Sequence, residues 1–145
     1  MKLLLRYFFS KENINEAHFP YKTGVDRKKL KTIDSTHYSI TKPHHTKQVI
    51  KVMKKYINNL KNNDLTEICA NVGGDTISFA ENFKKVLTFE VDENAIECLG
   101  HNLKMYKLDK NVEIICKGFD TNDMINTEYV YIDPPWSNNV QEGSN

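Results

Sequence analysis

The sequence predicts an α/β domain built on a mainly parallel sheet. Three observations carry this. From residue 43 onward, short apolar runs alternate with helical stripes, the pattern of βαβ units. Polar turn motifs fall where those runs end, and ligands of such sheets sit beyond the carboxyl ends of the strands. The length of 145 residues suits one domain with a single core. About four strands can be placed, with right-handed crossovers expected between them.

The elements follow in chain order. Residues 1–34 mix apolar and basic side chains without clean periodicity. They make a mixed N-terminal extension over 1–35, ahead of a core over 36–145. The opening MKLLLRYFFS has the apolar character of a signal peptide. Arg6 interrupts it and no small-residue cleavage site follows, so no leader is expected. The basic stretch from Lys22 to Lys31 reads as a solvated face, or as a contact for phosphates. Pro43 suits the first turn of a helix, where its missing N–H costs nothing. Val49, Ile50, Met53, Tyr56, Ile57 and Leu60 then recur at helical spacing. That apolar face is expected to pack on the sheet, with Lys47, Lys51, Lys54 and Lys55 mostly in solvent. Asn62-Asn63-Asp64 makes a turn. Leu65–Ala70 reads as a strand, Thr76–Phe83 as a short helix and Lys85–Val91 as a second strand. Glu93–Tyr106 is helical, with Ile96, Leu99, Leu103 and Tyr106 on one stripe. Val112–Cys116 and Tyr129–Ile132 complete the strands.

Composition narrows the function classes. With 27% charged residues and no apolar run near 20 residues, a membrane-spanning helix is excluded. A net charge of +1 argues against mass binding of nucleic acid. Cys69, Cys98 and Cys116 form no CxxC motif. They are expected to be reduced and buried, in an intracellular protein of cytoplasm or nucleus. His44 and His45 have no cysteine nearby in sequence, so no structural metal is expected.

Four motifs stand at the strand ends. In Glu67-Ile68-Cys69-Ala70-Asn71-Val72-Gly73-Gly74-Asp75-Thr76, a strand enters a tight turn and a helix leaves it. Gly73 and Gly74 carry no Cβ and allow close approach of a ligand; Asn71 tolerates positive φ. N–H groups at the helix start can bind a carboxylate or phosphate. A turn of this kind is also common in ordinary loops. Glu90 stands near the end of the second strand about 20 residues later, a spacing typical of nucleoside-binding domains, where the acid accepts ribose hydroxyls. Asp92 suits the N-cap of the next helix. After the third strand, Phe119 and Asp120 offer a ring face and an acceptor for adenine, or form a plain loop. The fourth motif is Asp133-Pro134-Pro135-Trp136. Two prolines make a rigid turn without N–H groups. The Asp133 carboxylate and the Pro134 carbonyl then serve as acceptors for an NH2 group, and Trp136 stacks on the planar ring that bears it.

This ordered set resembles class I S-adenosylmethionine-dependent methyltransferases, with DPPW similar to the branch that modifies exocyclic amines. EICANVGGDTISFA with the later PPW resembles more narrowly the RNA cap guanine-N2 methyltransferases, the trimethylguanosine synthase family. SITKPHHTKQVI stands where that family has a threonine-proline segment and a helix. The resemblance spans residues 36–136. It implies a Rossmann-like three-layer sandwich, incomplete here, since family members have seven strands. It implies S-adenosyl-L-methionine as cofactor. Thr41, Lys42, Glu67, Asn71, Val72, Gly73 and Gly74 would hold it, with Asp75 and Thr76 following in the helix start. Glu90, Val91 and Asp92 would neighbour ribose, and Phe119 and Asp120 adenine. Asp133, Pro134, Pro135 and Trp136 would receive the target amine. The implied activity is methyl transfer to an exocyclic amine of RNA, cap guanine N2 first, with RNA as partner. Departures exist. The cap family has Ser where this chain has Asp133, which is typical of adenine-N6 enzymes. Gly118 stands near the place of an acid, with Asp120 two residues on. SNNVQEGSN follows Trp136 in place of a Gly-Gly and Tyr loop. Adenine-N6 methylation of RNA or DNA, and a truncated non-catalytic cofactor-binding remnant, therefore remain alternatives. An NAD-binding domain would have no use for the DPPW loop.

Overall fold

A computed structural model describes residues 14–34, 39–120, 122–123 and 126–134. Its centre is a four-stranded sheet of β1 (Asp64–Ile68), β2 (Lys85–Glu90), β3 (Val112–Cys116) and β4 (Tyr129–Ile132). The order is β3-β2-β1-β4, and every pairing is parallel. Four helices accompany it: α1 (Ile14–His18), α2 (Pro43–Tyr56), α3 (Gly74–Asn82) and α4 (Glu93–Tyr106). This is the α/β architecture expected from the alternating pattern. The registers Glu67 opposite Thr88 and opposite Tyr131 bring the carboxyl ends of β1, β2 and β4 level. One rim of the sheet thus collects three strand ends.

Local chemistry explains the boundaries. The Asp92 side chain accepts hydrogen bonds from the N–H groups of Asn94 and Ala95, so α4 starts at Glu93. Lys107 closes α4 in the left-handed region. Strand β1 stops at Ile68, two residues before the expected Ala70. Cys69 there takes a left-handed φ of 70°, and the N–H groups of Cys69 and Ala70 both turn to the Phe89 carbonyl. Helix α3 starts at Gly74 rather than Thr76.

Two sequence expectations are corrected. The α2 face packs mainly against α3, with Thr46 and Ile50 buried. Tyr56 is 82% exposed, although it shares the apolar spacing. The chain turns extended at Ile57, so the stripe beyond it follows a new course. Ile57 and Leu60 are buried through the short 3-10 turn at Leu60–Asn62. The cysteines also differ from expectation. Only Cys98 is buried, Cys69 is half-buried and Cys116 is exposed; all three are free thiols. Cys116 lies on β3, an edge of the described sheet, where no residue is fully buried.

The core joins Leu65, Val86, Ile77, Phe79, Phe83, Leu99, Leu103 and Tyr106. Full burial of each large apolar side chain contributes roughly 1.5–3 kcal/mol. The segment 19–31 joins this core directly. Phe19 is fully buried, and the Tyr106 hydroxyl donates to the Pro20 carbonyl. Asn102, fully buried on α4, accepts from Lys31 N–H at 2.8 Å. Its amide donates to the carbonyls of Lys31 and Val72, each at 2.9 Å. One side chain therefore clamps the N-terminal segment and the glycine turn to the same helix.

Candidate functional site

The strand ends enclose a cavity of about 220 Å³. Of the residues singled out in the sequence, Thr41, Glu67, Asn71, Gly74, Asp75, Glu90, Val91, Asp92, Asp133 and Pro134 line it. They arrive from the chain ahead of α2, the two loops after β1 and β2, and the end of β4. Lys42, Val72, Gly73, Thr76, Phe119 and Asp120 do not line it. Val72 and Thr76 are fully buried, and the Lys42 carbonyl starts α2 by accepting from His45 and Thr46. Phe119 packs edge-on to Phe89 at 5.6 Å. Asp120 accepts from Asn122 in a local turn. Pro135 and Trp136 lie outside the described residues. The wall also includes Ser39, Ile40, Cys69, Ala70 and Ala95, which the sequence did not single out. The short apolar side chains among them carry no chemical signature; Cys69 stood only as an expected buried thiol.

The glycine turn is shaped by packing within the chain. Asn71 has φ 50° and Gly73 has φ 96°. A Cβ on Gly73 would lie 2.6 Å from the Leu99 side chain. One on Gly74 would lie 2.8 Å from Ile40 and 3.3 Å from the Thr41 carbonyl oxygen. The space saved at both positions is thus occupied by α4 and by the segment ahead of α2.

Carboxyl groups dominate the cavity. Glu67, Asp75, Glu90, Asp92 and Asp133 line it, and among the described residues no Lys or Arg does. Glu90 ties two loops together. Its Oε2 accepts from Asn71 N–H at 2.7 Å, and its Oε1 from Val91 and Asp92 N–H at 2.8 and 3.0 Å. Glu67 is buried on the floor, where the Thr88 hydroxyl donates to it at 2.9 Å. Burial pushes its pKa up to about 8, with the charges of Asp75 and Glu90 adding to the rise. Glu67 is therefore mainly protonated at neutral pH. Burial also raises Asp75, against the hydrogen bond that it accepts from Thr46 and the influence of the neighbouring Thr41 hydroxyl, while the charge of Asp133 adds to the rise. Tyr131 is likewise raised, by burial first and by the carboxylates around it. Its hydroxyl donates to Asp75 Oδ2 at 3.4 Å, and the Thr41 hydroxyl donates to Asp133 Oδ2 at 3.3 Å. Among the described residues, no group of His, Cys, Asp or Glu is arranged to hold a metal ion. No described helix is long and apolar enough to cross a membrane.

Comparison with known proteins places this rim. The family model described as RNA cap guanine-N2 methyltransferase matches residues 63–138, more than half of the chain. The chain belongs to this family. The matched residues contain all four strands of the described sheet. A protein of Methanobrevibacter smithii described as a cobalt-precorrin-6B C(15)-methyltransferase is 32% identical over 74 residues, covering 50% of this chain and 40% of that protein. A structure described as an RNA methyltransferase from Pyrococcus horikoshii shares the fold with TM-score 0.59 at 16% identity, over 74% of this chain and 55% of that one. So does an RNA methyltransferase from Salinibacter ruber solved with S-adenosyl-L-homocysteine, with TM-score 0.51 at 17% identity, over 59% of this chain and 57% of that one. The chain spans 29% and 40% of the length of two of the curated relatives it matches.

Proposed function

We propose that this chain carries the S-adenosyl-L-methionine site of an RNA methyltransferase that modifies an exocyclic amine, with cap guanine N2 as the favoured target. The observation that supports the reading is the cavity of five carboxyl groups, with no basic side chain among the described residues that line it. A sulfonium that also bears an ammonium group fits such a field; the pyrophosphate of a dinucleotide does not. Glu90 Oε2 accepts one N–H, which leaves it able to accept a ribose hydroxyl. Glu67 and Asp75 suit the methionine end, and Thr41 and Asn71 border it. When bound, S-adenosyl-L-methionine supplies an electrophilic methyl group.

The chain's own residues then act on the target. Asp133 and the Pro134 carbonyl accept the two amine hydrogens. This keeps the nitrogen lone pair out of the ring and orients it for in-line attack. Trp136 supplies a stacking face in this reading. A second reading, adenine N6, is favoured by Asp133 standing where the cap family has Ser.

Calorimetric titration with S-adenosyl-L-methionine and with NAD tests the cofactor. Binding of the first alone is expected; binding of NAD alone would overturn the reading. Transfer of labelled methyl to capped RNA, uncapped RNA and DNA tests the substrate. Capped RNA is expected to accept most, and labelling of adenine in RNA or DNA instead would favour the second reading.

A further inference from the structure

We propose that Thr41 is a positioning residue that sets the orientation of the Asp133 carboxylate, an inference that rests on the amine-methylating reading above. Thr41 lies ahead of α2 and Asp133 follows β4, 92 positions later, yet the Thr41 hydroxyl reaches Asp133 Oδ2 at 3.3 Å. A hydroxyl has a single hydrogen to donate, so the competition for it matters. The competitor is Asp75, whose carboxyl also feels the Thr41 hydroxyl. Asp75 already has a donor on each oxygen: Thr46 on Oδ1 and Tyr131 on Oδ2, the latter at 3.4 Å. With a donor on each oxygen, Asp75 depends little on Thr41, whose hydrogen bond runs to Asp133.

The arrangement fixes one carboxylate oxygen and leaves Oδ1 for an incoming amine. The backbone assists. Asp133 N–H points to the Ile68 carbonyl at 3.4 Å, continuing the β1–β4 ladder to the loop. The Thr41 carbonyl oxygen packs 3.3 Å from where a Cβ on Gly74 would stand. Thr41 is thereby wedged between the α3 start and the β4 end. The segment ahead of α2 acts in this way on the acceptor loop as well as forming a wall of the cavity.

The test compares the parent with Thr41→Val and Thr41→Ser. Two readouts are used: crystal structures, and methyl transfer from S-adenosyl-L-methionine to capped RNA. In Thr41→Val the Asp133 carboxylate is expected to leave its present rotamer and kcat to fall about 10- to 100-fold, the scale of a small misplacement of reacting groups. The KM for S-adenosyl-L-methionine, whose site Thr41 also borders, should change by less than kcat does. Thr41→Ser should restore both the rotamer and kcat. An unmoved Asp133 in Thr41→Val, a loss confined to the cofactor KM, or a serine variant as impaired as the valine one would overturn the role. Thr41→Ala replaces valine if valine disturbs folding. A parent that transfers no methyl to capped RNA, uncapped RNA or DNA overturns the amine-methylating reading instead. The Asp133 rotamers in the crystals still decide the role of Thr41 in that case.

Discussion

Replacing Glu67 with Gln tests whether the cavity floor holds an uncharged carboxyl. Its pKa rises from 4.5 to about 8, chiefly through burial. The folded chain therefore binds one proton more than the unfolded chain between those values. Stability must fall as pH rises through that window, by roughly 1.4 kcal/mol per pH unit, and level off above it. The accumulated penalty is under about 1 kcal/mol at pH 5, about 3 at pH 7 and about 4 at pH 8. Gln never ionises, so it escapes this penalty. Gln can still accept from Thr88, but it brings an amide N–H2 into a buried site, at a cost of roughly 1–3 kcal/mol. The two stability curves are therefore expected to cross. Glu67→Gln should be the less stable protein at pH 5 and the more stable one at pH 8. Urea unfolding of both proteins at half-unit steps from pH 4.5 to 8.5 measures this. Asp75, also raised by burial, leaves a residual slope of the same sign in the variant. Parallel curves for the two proteins would refute the reasoning, because they would mean that Glu67 titrates alike folded and unfolded.

Further substitutions have expected outcomes of their own. Gly73→Ala should destabilise by about 1–3 kcal/mol, since it adds a Cβ 2.6 Å from Leu99 at a left-handed φ. Gly100→Ala, inside α4 with nothing within 4 Å, should stabilise by about 0.5–1 kcal/mol; thermal unfolding compares the pair. Asn102→Ala should lose about 2–4 kcal/mol, because it orphans the groups of Lys31 and Val72 that the amide satisfies. Chemical denaturation measures that loss, and exchange of the Lys31 amide hydrogen should quicken with it. Asp133→Ala should abolish methyl transfer while leaving calorimetric cofactor binding within a few-fold, whereas Glu90→Ala should weaken that binding by tenfold or more.

The sheet was legible because its strands are short apolar runs with punctuation between them. Helix α4 was legible to the residue, since Asp92 caps it and Ile96, Leu99, Leu103 and Tyr106 keep one stripe. Periodicity names a face but not its partner. For that reason the contact of α2 with α3, and the exposure of Tyr56, had to come from the structure. The cavity was legible where side chains carry chemistry, as at Glu67, Asp75, Glu90 and Asp133. Ile40 and Ala95 carry only shape, and shape is set by which elements meet. Asn102 was invisible for another reason. Its partners are mainly backbone carbonyls, and any residue has one.

The carboxyl lining has a consequence for turnover. Self-repulsion among these groups is greatest when the cavity holds no positive charge. In the proposed reaction, a methyl group leaves a sulfonium, and the bound molecule becomes less positive by one unit. The lining then attracts the spent molecule less than the loaded one. Discrimination between the two would reside in the field of the wall, with no part of the chain having to move, and added salt would blunt it.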